Sequence, residues 1–101
     1  MMFSFHTHIC IPLEHLANDY FAQEKIPIKV SADFIETGGF ITIMECLLQH
    51  KFGNAPEVLE FLQQNSVMLG LTKNQMDDVQ PLAAYEQFYK LFVGENLGDT
   101  E

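Results

Sequence analysis

The sequence predicts an α+β fold, a predominantly helical single domain with a small N-terminal sheet of two or three strands packed on about four helices. Two segments near the N-terminus alternate between apolar and polar residues, whereas the rest of the chain repeats its apolar residues at helical spacing. The chain has 101 residues, of which 48% are hydrophobic, and this suffices for one core. We therefore expect one globular domain over residues 1–94, followed by a flexible acidic tail over residues 95–101.

The first eleven residues predict a strand with one apolar face. Apolar and polar side chains alternate between residues 2 and 11, which is the period of a strand. Pro12 ends the strand, because it lacks the N–H that a neighbouring strand needs, and it suits the first turn of a helix. That helix ends before Pro27. Its apolar face comprises Leu13, Leu16, Ala17, Tyr20 and Phe21.

The second alternating segment predicts another strand over residues 28–34, although Ser31 would also suit the N-cap of a short helix. The two adjacent glycines at 38–39 predict a turn or hinge. Residues 40–43 have two interpretations. Phe-Ile-Thr-Ile favours a strand that a Gly-Gly hairpin would pair with the preceding segment, whereas the wider apolar spacing predicts a helix that ends at Gly53. The small sheet would be completed by that hairpin or by pairing across a homodimer.

The C-terminal half predicts three helices. Pro56 begins the first of them, and apolar residues at helical spacing carry it to Asn65. Thr72 begins a Thr-x-x-Gln capping box that opens a short helix. The last helix runs from Pro81 to Gly94, where a glycine is typical of a helix end. Its apolar face comprises Leu82, Tyr85, Phe88, Tyr89 and Phe92.

The charge balance excludes some classes of partner. Five Lys, no Arg and fourteen acidic residues give a formal net charge of −9. Direct binding to nucleic acid or to an anionic membrane needs clustered basic residues, which this chain cannot assemble. No apolar stretch approaches the roughly 20 residues that cross a bilayer, and the N-terminus lacks a basic leader. We therefore expect a soluble cytoplasmic protein whose field suits a basic partner.

These features favour a non-enzymatic protein-binding module that uses no cofactor. Its docking surface would be an apolar patch rimmed by carboxylates, facing a basic partner protein. Small acidic inhibitors and accessory proteins, such as antitoxins, immunity proteins and anti-defence proteins, are a class analogy in size and charge. The acidic residues expected on the outer faces of the last three helices are Glu57, Glu60, Asp77, Asp78 and Glu86.

The alternative function is a protein that binds a metal or another small ligand through a cluster of His and Cys. Imidazole and thiolate are good ligands for zinc. Three candidates share one face of the predicted N-terminal strand, and two more lie at i and i+4 on a predicted helix. The candidate zinc ligands are His6, His8, Cys10, Cys46 and His50.

A Cys/His hydrolase is a weaker hypothesis. Cys46 and His50 could act as nucleophile and base, but such an enzyme also needs an oxyanion hole and an orienting third group, and no sequence pattern indicates either. The apolar and acidic neighbours of Cys46 would also disfavour its thiolate.

Overall fold

The predicted α+β class is wrong, because every regular element in the described part of the chain is helical. The computed structural model describes residues 4–70, 75, 77 and 79–94, and no strand occurs among them. The chain forms a single compact domain around one apolar core. The elements are a π-helical turn His6–Cys10, α1 Ile11–Gln23, α2 Ala32–Phe34, a wide π-type turn Ile35–Gly39, α3 Phe40–Phe52, α4 Pro56–Gln64, a 3-10 helix Ser66–Gly70 and α5 Val79–Val93.

The predicted N-terminal strand is instead a helical segment that continues into α1. Ile9 and Cys10 are neighbours and are both fully buried, which the predicted strand with one buried face does not allow. Phe5, Ile9 and Leu13 are four residues apart, so they share a helix face as well as a strand face. Phe5 packs edge-to-face on Phe40 of α3, with ring centroids 5.2 Å apart. The helix prevails because it satisfies its own backbone, whereas a strand would need a partner that this fold does not provide.

The second predicted strand is also absent, and residues 26–31 have no regular secondary structure. The side-chain amide of Asn18 in α1 supplies both hydrogen bonds that a neighbouring strand would have made. The Val30 N–H donates to Asn18 Oδ1 at 2.9 Å, and Asn18 Nδ2 donates to the Val30 carbonyl at 3.0 Å. The segment with the alternating pattern therefore packs beside α1 without forming a strand, and the Asn18 side chain holds it there.

The alternative predictions for residues 31–43 are confirmed. Ser31 caps α2, since its Oγ accepts a hydrogen bond from the Phe34 N–H at 3.1 Å. Gly38 has a φ of 143°, which makes a kink between α2 and α3 and favours glycine. Residues 40–43 begin α3, so the predicted hairpin is wrong and the helical interpretation is right.

The four longer helices agree with the predicted ones to within a few residues. α5 begins at Val79, two residues before the predicted start at Pro81, and Gly53 and Gly94 end α3 and α5 with positive φ. Residues 72–74 of the predicted capping box, and the tail 95–101, fall outside the described residues. No described helix is both long and apolar enough to cross a bilayer.

Helix α3 lies at the centre and is tied to α1 and α5 by polar contacts. Tyr20 and His50 share a hydrogen bond of 2.5 Å between α1 and α3. Lys51 Nζ donates to the carbonyl of Phe92 at 2.7 Å and lies 4.7 Å from the centroid of its ring. The positive charge of Lys51 interacts favourably with the negative, C-terminal end of the α5 helix dipole. The largest fully buried side chains include Phe61, Phe88, Ile9, Leu13, Ile35, Met44, Leu47 and Leu48.

The Asn18 amide predicts a specific loss of stability on truncation. Asn18→Ala should lower the free energy of unfolding by about 1–2 kcal/mol, because two hydrogen bonds to the half-buried Val30 are lost. Asp19→Ala is the matched control, since Asp19 is the exposed neighbour and gains helix propensity in the same way. Urea unfolding of both variants measures the difference. Equal stabilities would contradict a structural role for the Asn18 amide.

Candidate functional site

One group of potential metal ligands converges in the described part of the chain, and it contains His6, Asp33 and Glu36. His6 Nδ1 lies 2.8 Å from Glu36 Oε1. Each of the three residues offers one donor atom, and all three atoms lie within 4.8 Å of one another. The side chains of His6 and Glu36 are 38% and 20% exposed. The group is therefore an open surface site with one nitrogen and two carboxylate donors.

The backbone around α2 places the two carboxylates on one side. Asp33 and Glu36 are three residues apart across α2 and the turn that follows, and side chains at this spacing are neighbours on a helical surface. Ser31 caps the first turn, and Glu14 Oε2 accepts a hydrogen bond from the Ala32 N–H at 3.3 Å. The segment is thus anchored to α1 immediately before the carboxylates.

His6 belongs to a different segment of the chain from the two carboxylates. It is the first residue of the π-helical turn, and this turn packs against α2 and the wide turn Ile35–Gly39. Phe5, immediately before His6, is held against Phe40 at the start of α3. The three donors therefore come from two segments that the core brings together.

The structure does not bring together the five predicted zinc ligands. His8 Nδ1 lies 3.1 Å from the carbonyl of Ser4, and Cys10 is fully buried in the core. Cys46 is exposed on α3, and the His50 ring bonds to Tyr20. Among the described residues, the one cluster of three or more possible ligands contains His6 and none of the other four.

The sequence does not predict Asp33 and Glu36 as ligands, because the alternating pattern of residues 28–34 predicts a strand. In a strand, Asp33 and Glu36 would point to opposite faces, whereas helical spacing places them together. The available signal was the Ser31 cap followed by Asp-x-x-Glu. That signal identifies the carboxylate pair, but their approach to His6 depends on tertiary packing.

His50, the suggested base of the Cys46 and His50 pair, contacts a tyrosine of α1. His50 Nδ1 is engaged with the Tyr20 hydroxyl, and the rings of these two residues meet edge-to-face at 5.4 Å. Burial raises the pKa of the Tyr20 phenol, and the nearby charges of Glu24 and Cys46 add to that rise. The phenol is therefore neutral at physiological pH and ties α1 to α3.

The predicted apolar face of α5 is buried at its centre and partly exposed along one edge. Phe88 and Phe92 are buried and stack with ring centroids 5.3 Å apart. Leu82, Tyr89 and Val93 are 38%, 42% and 39% exposed and lie along one edge of this apolar face. We call these three residues, together with Glu86, the α5 outer face. Tyr85 is half-buried at its edge, where burial and then Tyr89 raise the pKa of the phenol.

The predicted docking acids have different positions. Glu57 and Glu60 are exposed on α4, and Glu86 is exposed on the α5 outer face. Asp77 Oδ1 accepts hydrogen bonds from the N–H groups of Val79 and Gln80, so Asp77 caps the start of α5. Asp78 lies outside the described residues.

A cavity of about 310 Å³ adjoins the same region, between the α3–α4 connection and the end of α5. Glu57 and Lys90 contribute polar groups to its lining. Its apolar lining includes Phe52, Ala55, Val58 and Leu91. Helices α4 and α5 are also joined by a hydrogen bond of 3.0 Å between Gln64 and Gln87.

Comparison of the chain with protein-family models, with curated proteins and with solved structures finds no match. Function is therefore argued from the side chains themselves.

The two hydrogen bonds at Asp77 predict a structural role for this residue. Asp77→Ala should lower the free energy of unfolding by about 1 kcal/mol, because two N–H groups at the start of α5 lose their acceptor. Glu86→Ala, an exposed acid within the same helix, should change it by less than about 0.5 kcal/mol. Urea unfolding compares the two. Equal changes in the free energy of unfolding for the two variants would contradict a capping role for Asp77.

Proposed function

We propose that this protein is a small non-enzymatic protein-binding module that docks to a basic partner protein through the α5 outer face. The observation that carries the proposal is the partly exposed apolar edge of α5, described above. Single exposed apolar residues are ordinary on protein surfaces, but a stripe on one helix marks an interaction surface. The core covers Phe88 and Phe92 but leaves this apolar edge partly exposed, so a partner can cover it.

The spacing of the α5 outer face supports docking into an apolar groove. Leu82, Glu86, Tyr89 and Val93 follow one another at intervals of four, three and four residues. Helices that dock in grooves present their anchors at such intervals. Tyr89 is the strongest anchor, because tyrosine buries a large apolar ring and keeps a polar end at the rim.

The charges of α5 and of its neighbour α4 support a basic partner. Glu86 lies within the face, and Glu57 and Glu60 are exposed on α4, which packs against α5. Lys90 is the one basic residue in the last turn of α5. A second copy of the chain would bring another formal charge of −9, so the long-range field opposes self-association and favours a basic protein.

The biological role in this proposal is inhibition or assistance of the partner. Small acidic antitoxins, immunity proteins and anti-defence proteins cover a basic working surface of another protein with their own acidic surface. That class analogy is supported here by size, by charge and by an apolar stripe that includes one exposed acid, Glu86. The fold alone assigns no such role.

Photo-crosslinking from Tyr89 tests the proposal. A benzoylphenylalanine replaces Tyr89 in one variant and Ile28 in the control, since Ile28 is a comparably exposed apolar residue outside α5. In lysate of the cells that produce the protein, position 89 should crosslink to a basic protein that position 28 does not reach. Adding Glu86→Lys, or raising the salt, should reduce that crosslink, because both weaken the attraction. Equal crosslinking from both positions would contradict the proposal.

Self-association is tested separately by sedimentation at low and high salt. The proposal expects a monomer at both concentrations. A dimer that strengthens with salt and is broken by Tyr89→Asp would assign the α5 outer face to a second copy, because salt screens the repulsion between two chains of charge −9. That outcome would contradict the proposal of a basic protein partner.

A further inference from the structure

We propose that His6, Asp33 and Glu36 bind one divalent transition-metal ion, such as Mn²⁺ or Zn²⁺. This site is separate from the α5 outer face and does not depend on the proposed docking function. It uses one residue of the predicted zinc set, His6, and replaces the other four with two carboxylates.

The distances between the donor atoms suit a shared ion. Metal–ligand bonds to imidazole and carboxylate are about 2.0–2.2 Å, so two ligands of one ion lie roughly 3–3.5 Å apart. His6 Nδ1 and Glu36 Oε1 are 2.8 Å apart, and the whole group lies within 4.8 Å. Rotation of the exposed Asp33 side chain can supply the remaining approach.

Electrostatics favours a cation at this position. Asp33 and Glu36 are like charges at i and i+3, an arrangement that is unfavourable until a positive group lies between them. The formal net charge of −9 adds a field that attracts cations to the whole molecule. Protonated His6 would relieve only part of this repulsion, since it contributes one charge and pairs with Glu36 at the surface.

The donor set indicates which metals fit. One imidazole and two carboxylates form a mixed nitrogen and oxygen set that suits Mn²⁺, Fe²⁺, Co²⁺ or Zn²⁺. Mg²⁺ and Ca²⁺ prefer oxygen ligands alone, so the imidazole disfavours them. Three protein ligands leave coordination positions for water or for a further ligand, as in open metal sites.

The local backbone is also unusual where the ligands lie. His6 opens a π-helical turn, and Glu36 lies just before the kink at Gly38, whose φ is 143°. A single π-helical turn such as His6–Cys10 is rare in proteins and is frequently found at functional sites. The two turns pack against each other, and this packing brings His6 to Glu36 across 30 residues of chain.

Isothermal titration of the untagged full chain with MnCl₂ and with ZnCl₂ tests the site. The expected result is one ion per chain, with affinity reduced at least about tenfold in His6→Ala and in Glu36→Gln, because each variant removes one ligand. His8→Ala is the matched control, since His8 is an exposed histidine two residues along the same segment, and it should bind as the unaltered protein does. Cys46→Ser controls for zinc on the exposed thiol and should also bind normally.

Paramagnetic broadening by Mn²⁺ gives an independent readout of position. Amide signals of residues 6, 33 and 36 should broaden first, whereas signals of α5 should persist. Circular dichroism of each variant confirms that it remains folded, so a loss of affinity reports the ligand and not the fold. The proposal is overturned by the absence of saturable binding up to about 1 mM ion, or by binding that survives His6→Ala or is lost in Cys46→Ser.

Discussion

The side-chain amide of Asn18 holds the segment on which the candidate metal site depends. Residues 26–31 cross from α1 to α2 without regular structure, and their backbone needs partners that a sheet would normally supply. Asn18 provides both an acceptor and a donor to Val30, and this fixes the chain just before the Ser31 cap. The cap starts the turn that carries Asp33 and Glu36. The position of these carboxylates therefore depends on the hydrogen bonds of Asn18, a residue more than ten positions earlier in the chain.

The α5 outer face and the candidate metal site depend on different interactions. The α5 outer face combines apolar area with a carboxylate on a regular helix, and its geometry needs only the register of α5. The His6, Asp33 and Glu36 group needs two separate segments to pack, and its donors are polar and partly exposed. A rigid helix suits recognition of another protein, whereas a cluster at the meeting of two short turns suits a small cation.

The sequence predicted the helices well and the strands wrongly, for a reason visible in its spacing. A period of two and a helical repeat coincide at every fourth residue, so Phe5, Ile9 and Leu13 fit both patterns. The long helices have enough turns for the helical period to stand out, but residues 2–11 and 28–34 do not. Of the candidate metal group, the sequence indicated His6. The partners on α2 and the following turn depended on packing that no local pattern encodes. Likewise, the exposure of Tyr89 on α5 depended on which side met the core.

The two cysteines differ completely in their access to solvent, since Cys10 is sealed in the core and Cys46 is exposed on α3. A thiol reagent therefore meets one group in the folded chain and two in the unfolded chain. The slow labelling of the second group would time the opening of the N-terminal helical region, because Cys10 lies where that region enters α1. The labelling rate of Cys10 therefore measures how often the segment that carries His6 opens.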